Sequence, residues 1–182
     1  MNTAQMLTYV AFLRAINVTG RFIKMSELAA AFHRLGHLDA RTYINTGNVI
    51  FTSAIRSGAK LEKLLEEQLE PQLGFKSEAF VRTSGEVKAI SSHAHALRQH
   101  VAASGEVNVC FLQAPLTPSQ ASEVQKLKSE VDDFDVAERE VYWLCLTKQS
   151  VSKFSNAALE RKLSVRSTLR RVSMLNGLAG EV

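Results

Sequence analysis

The stretch Arg41-Thr-Tyr-Ile-Asn-Thr-Gly-Asn-Val-Ile-Phe51 constrains the fold of this chain more than any other. Two short runs of β-branched and aromatic residues meet at Thr46-Gly47-Asn48, where glycine and asparagine supply turn chemistry. A hairpin here fixes the reading of its flanks. Upstream, Leu7 to Ile16 is apolar at odd and even positions alike, as in a strand buried on two faces. Between that strand and the hairpin, Met25, Leu28, Ala29, Phe32 and Leu35 repeat at helical spacing and Gly36 stops the helix. Downstream, Ser57 opens a second helix with Leu61, Leu64, Leu65 and Leu69 inside and Glu62, Lys63, Glu66 and Glu67 outside, closed by Pro71 and Gly74. Ser77 to Arg82 is a further strand. The order is β-α-β-β-α-β, the ferredoxin-like unit.

The pattern then repeats. Thr83-Ser-Gly-Glu86 fits a capping box, and Val87, Ile90, Ala94, Leu97 and Val101 continue as a connecting helix. After Ser104-Gly105 come a strand from Val107 to Leu112 and a helix capped by Thr117-Pro118 with Gln120, carrying Ala121, Val124, Leu127 and Val131. Two strands, Asp133 to Ala137 and Val141 to Leu146, meet at a tight turn, Glu138-Arg139-Glu140. Ser155 to Leu163 is helical, Ser164 to Ser167 a short extended piece, and Thr168 caps a last helix with Leu169, Val172, Leu175 and Leu178. The expected fold is α+β: two tandem ferredoxin-like subdomains, residues 1–83 and 105–182, joined by the helix at 84–104, the second ending in an added basic helix. Residues 1–6 read as a loose end. Two-sided apolarity in the inner strands suggests that the halves cover one another's open sheet faces.

At 182 residues with 46% hydrophobic side chains, the chain can bury a real core, and no apolar run reaches the ~20 residues of a membrane span. With no basic-apolar leader at the N-terminus, the expected compartment is the cytoplasm. Cys110 and Cys145 each sit in an apolar β-type run without metal-ligand spacing, and read as small buried hydrophobes. From Lys153 onward six basic residues stand against two acidic ones, so the whole excess of +4 lies at the C-terminal end. An anionic partner there competes with a solvated basic helix.

Tyr9-Val-Ala-Phe-Leu-Arg-Ala-Ile-Asn-Val18, Lys24-Met25 with Glu27-Leu28, Arg41-Thr-Tyr with Gly47-Asn48-Val49, and Leu159 to Leu163 together resemble the bacterial family known as domain of unknown function sixteen ninety-seven. The resemblance spans nearly the whole chain. It implies ferredoxin-like α+β subdomains and leaves cofactor, reaction and enzyme status unassigned. Members carry a Thr-Thr-Arg-Asn-Trp-Asn-Thr run after the penultimate helix. Here the run reads Thr168-Leu-Arg-Arg-Val-Ser-Met174, in which only Thr168 and Arg170 match.

With the first and third strands adjacent and antiparallel, Arg14 and Asn17 come beside the Gly47 turn. Arg14, Asn17, Asn45, Gly47 and Asn48, with Thr168 and Arg170, make a candidate pocket for a small phosphate- or carboxylate-bearing molecule. The alternative is local: Gly47 supplies positive φ, Asn17 and Asn48 bond nearby backbone, and Arg14 pairs with an acidic neighbour. His93, His95 and His100 do not make a metal set, since i, i+2 positions on a helix point apart. Asp132, Asp133 and Asp135 lack calcium-loop spacing and read as a helix end entering a strand. No GxSxG, Walker or GxGxxG pattern occurs. Anion binding at the corner, with or without catalysis, therefore stands against nucleic-acid binding by the basic C-terminal segment and against a scaffold for a protein partner.

Overall fold

The computed structural model describes residues 5–182, so most of the expected loose end at residues 1–6 lies outside the described residues. It is mixed α+β, with two four-stranded antiparallel sheets and, among the described residues, six α-helices. The chain divides into two compact units, one running to Val87 and taking in Val182, the other Lys88–Glu181. Among the described residues no helix is long and apolar enough to cross a membrane.

In the first unit, β1 (Leu7–Leu13), α1 (Met25–Arg34), β2 (Arg41–Tyr43), β3 (Asn48–Ser53), α2 (Gly58–Leu73) and β4 (Ala79–Thr83) form a sheet in the order β2-β3-β1-β4. Every residue from Tyr9 to Leu13 is buried, as the two-sided apolar pattern requires. Tyr9, Ala11, Leu13, Val49, Phe51, Ala79 and Val81 share a core with Leu28 and Phe32 of α1 and Leu61, Leu65 and Leu69 of α2. Ser57 caps α2, its hydroxyl accepting from the Lys60 N–H at 3.2 Å. Pro71 does not end α2; it lies in the last turn, where one intrahelical hydrogen bond is lost, and the chain breaks away at Gly74 with φ +77°.

The outward placement expected for Glu62 and Glu66 is corrected by β4, the edge strand beside α2. Glu62 is 3% exposed, and its Oε1 accepts from the Val81 N–H at 2.9 Å; Glu66 Oε1 accepts from the Ala79 N–H at 3.0 Å. Their spacing of four residues, one helical turn, matches alternate outward-pointing groups of the strand. Arg82, 1% exposed, donates from Nη1 to the Val81 carbonyl at 2.9 Å and lies 3.7 Å from Glu62 Oε1.

The second unit holds α3 (Ser84–Leu97), whose first residues precede the boundary, then β5 (Glu106–Leu112), α4 (Pro118–Gln125), β6 (Asp132–Ala137), β7 (Glu140–Cys145), α5 (Asn156–Leu163), β8 (Ser167–Arg171) and α6 (Val172–Ala179). The sheet order is β6-β7-β5-β8. Both expected capping boxes form: Thr83 with Glu86, and Thr117 with Gln120. The further face of this sheet is met within the unit, because His93 of α3 lies edge-on to Tyr142 at 4.6 Å and its Nε2 is 2.6 Å from Asp135 Oδ2.

Two expectations fail here. Thr168 does not cap a helix: it pairs with Phe111 inside β8, and α6 starts at Val172. The open edge of β5 offers that segment a ladder, and sheet pairing overrides a local capping preference. Helix α4 stops at Gln125 instead of running to Val131, because the Ser129 hydroxyl accepts the N–H groups of Val131 and Asp132 and turns the chain into β6.

The edge pattern recurs. Ser167 pairs with Leu112 and Arg170 with Val109, as Ala79 pairs with Leu13 and Arg82 with Val10. Glu160 Oε1 accepts from the Ser167 N–H at 2.7 Å, and Arg170 Nη1 donates to the Leu169 carbonyl at 2.9 Å.

Candidate functional site

The antiparallel pairing of β1 with β3 brings the end of one beside the start of the other, and the Leu13 N–H donates to the Gly47 carbonyl at 2.8 Å. Gly47 has φ +72°, and a Cβ there would stand 2.8 Å from Ile16 Cγ1. Its role is to let the turn lie on the loop after β1. Asn48 is fully buried and its Nδ2 donates to the Tyr43 carbonyl at 3.2 Å and to Thr46 Oγ1 at 2.7 Å, so its amide holds the hairpin turn.

Asn17 and Asn45 do meet. Asn17 Nδ2 donates to Asn45 Oδ1 at 3.1 Å, while Asn17 Oδ1 accepts from the Ile23 N–H at 2.9 Å. Arg14 turns elsewhere: it is half-buried, with Nη1 3.6 Å from Glu78 Oε2, so the charge expected to face a ligand has a carboxylate beside it. Thr168 and Arg170 belong to β8 of the other unit, where Arg170 Nη1 donates to Thr168 Oγ1 at 2.8 Å. Burial pulls the Arg170 guanidinium down to about 10, which keeps it charged at neutral pH.

The corner is bent by left-handed backbone at residues that are not glycine. Ala15 (φ 58°), Asn17 (φ 56°) and Ile44 (φ 47°) surround it, and Ile44 is a β-branched residue in a conformation such residues avoid. Beside them opens a cavity of about 780 Å³ lined by Asn17, Phe22, Ile23, Lys24, Met25, Glu27 and Asn45. Phe22, Lys24 and Glu27 were not legible as site residues. The available signal was Lys24 at the N-cap of α1, a position where side-chain acceptors are preferred and none is supplied.

Lys153, Arg161 and Arg171 of the basic C-terminal segment are exposed, whereas the other three are paired or buried. Lys162 lies 3.0 Å from Glu123, Arg166 3.9 Å from Glu160, and Arg170 is buried. Among the described residues no group of three or more His, Cys, Asp or Glu side chains is placed to hold a metal. Cys110 and Cys145 are free and buried, and burial pushes the Cys110 thiol up to about 12. Both thiols are therefore expected to resist iodoacetamide at pH 8 in the native state and react after denaturation, as mass spectrometry would show; rapid native labelling of Cys110 would contradict its burial.

The model of a family described as protein of unknown function (DUF1697) matches residues 6–142. No curated protein matches the chain. A solved structure of a conserved bacterial protein from Streptococcus pneumoniae is similar to it in fold, with a TM-score of 0.76, 24% identity, and coverage of 97% of this chain and 98% of that one.

Proposed function

The chain belongs to this family of unknown function, DUF1697, and from the geometry of its first unit we propose that it binds a small phosphate- or carboxylate-bearing molecule in the cavity beside the β2–β3 turn. The observation that carries this reading is the cavity itself: paired amides of Asn17 and Asn45, the ammonium-bearing Lys24 and the N-terminal end of α1 line one opening of about 780 Å³. Amide and ammonium donors complement an anionic group, the start of a helix adds a favourable dipole, and Phe22, Ile23 and Met25 suit an apolar portion. Strained backbone at Ala15, Asn17 and Ile44 supports the reading, since such residues concentrate where a fold holds a site in place. Lys24 takes the part expected of Arg14, which faces Glu78. We also read both strand orders, with two helices on one face of each sheet, as ferredoxin-like.

The test is a thermal-shift screen with inorganic phosphate, sugar phosphates and small di- and tricarboxylates. A ligand at about one hundred times its Kd should stabilise the native chain by about 2.7 kcal/mol. Lys24→Glu and Asn45→Ala alter exposed side chains, should leave the fold intact by circular dichroism, and should remove that shift. A ligand whose shift survives Lys24→Glu sinks the proposal. Nucleic-acid binding would instead appear as retention that falls steeply with salt, and the ion pairs of Lys162 and Arg166 give it no support.

A further inference from the structure

The second unit holds a separate cavity of about 450 Å³ at the start of β6. Leu127, Val131, Val151, Phe154 and Ala158 make most of its wall, and Val151 is the most exposed large hydrophobic side chain of that unit at 56%. Asp132 also lines it, although only 4% exposed. A buried carboxylate in an apolar wall needs compensation.

The compensation here comes from neutral donors. Trp143 Nε1 and Ser152 Oγ each donate to Asp132 Oδ1 at 2.7 Å, and Ser129 Oγ donates to Oδ2 at 3.2 Å. The hydroxyl directions follow from their other bonds. Ser152 Oγ accepts the Phe154 N–H, and Ser129 Oγ accepts the N–H groups of Val131 and Asp132, so each has its own hydrogen left for the carboxylate. A carboxylate offers about four acceptor positions, and the described residues fill three, two on Oδ1 and one on Oδ2. The fourth is on Oδ2. No basic side chain among the described residues forms an ion pair with Asp132; Lys128 pairs with Asp133 instead, at 2.7 Å. The charged residues of the wall are Glu130, Asp132 and Lys153, two carboxylates against one ammonium, which leaves a formal charge of −1.

The geometry points to a binding site for a small organic monocation: a protonated amine whose ammonium donates to Asp132 Oδ2 and whose apolar body lies against Phe154 and Val151. The amine supplies an ion pair that Asp132 does not make with any basic side chain among the described residues, Lys153 of the same wall included. The site is independent of the anion cavity in the first unit.

The test uses 2-phenylethylammonium chloride on the full chain. Trp143 is the single tryptophan; it donates to the same carboxylate and packs on Phe154 at 4.6 Å, so its emission reports the cavity directly. A saturable emission change is expected, and 2-phenylethanol, of the same shape without charge, should bind at least ~10-fold more weakly. Asp132→Asn should bring the amine down to the level of the alcohol. Ala158→Phe, which fills the cavity without touching the carboxylate, should abolish binding of both. If Asp132→Asn does not fold, the ratio of amine to alcohol and the Ala158→Phe result decide. Equal affinity for amine and alcohol, binding retained in Ala158→Phe, or no saturation up to ~10 mM overturns the proposal.

Discussion

Replacing Gly105 with alanine is expected to destabilise the second unit by about 3 kcal/mol or more, the upper range for forced overpacking. A Cβ at this position would stand 2.2 Å from Val101 Cγ1, 2.3 Å from the Cys145 carbonyl oxygen and 3.0 Å from the Leu146 carbonyl carbon. The valine methyl can rotate away. The two backbone atoms cannot, because the Leu146 carbonyl receives the Ala102 N–H at 3.3 Å and the Gly105 N–H is tied to the Ala102 carbonyl at 2.9 Å. Relief would therefore require the entry to β5 to separate from the end of β7. Urea unfolding followed by Trp143 emission, which reports this unit, should show a lower midpoint with an unchanged slope. A loss below ~1 kcal/mol would mean that the turn yields more readily than its hydrogen bonds imply.

Glu62→Ala is expected to cost the first unit about 3–5 kcal/mol, the range for removing one partner of a buried ion pair. The Val81 N–H loses its acceptor, and the 1%-exposed guanidinium of Arg82 loses the carboxylate 3.7 Å away while keeping its bond to the Val81 carbonyl. Glu62→Gln separates the two contributions. Its amide oxygen can still accept from Val81, so only the charge is lost and the effect should fall to about 1–2 kcal/mol. Far-UV circular dichroism during urea unfolding measures both variants. Equal losses in alanine and glutamine would assign the whole effect to charge and none to the strand N–H.

Much of the fold was legible because its signals are local. The Gly47 turn, the Ser57 and Thr117 caps, and the stripe of Leu61, Leu65 and Leu69 each follow from residues within a few positions of one another. Glu62 and Glu66 were misplaced because helical periodicity describes one helix alone, and their partners lie on a strand thirteen or more residues away. Thr168 was misplaced for a related reason: its side chain favours a cap, while its backbone is claimed by β5. At the corner, topology correctly brought Asn17 to Asn45. It could not show that Arg14 would turn to Glu78, because a long flexible side chain selects its partner by rotamer as well as by strand register. Asp132 carried no readable signal beyond its neighbours Asp133 and Asp135, since its donors come from three separate segments.

The glutamate and arginine contacts along β4 and β8 bear on how other molecules can assemble with this chain. Both strands are sheet edges, and a bare edge invites a foreign strand to continue the ladder. Here Ala79, Val81 and Ser167 have their outward N–H groups bound by glutamates, and the carbonyls of Val81 and Leu169 receive arginines. A β-strand arriving from another molecule would have to displace buried charge before forming its first hydrogen bond. The opposite edges are the three-residue β2 and β6, and on β6 Asp133 and Asp135 are already held by Lys128 and His93 while Asp132 is buried.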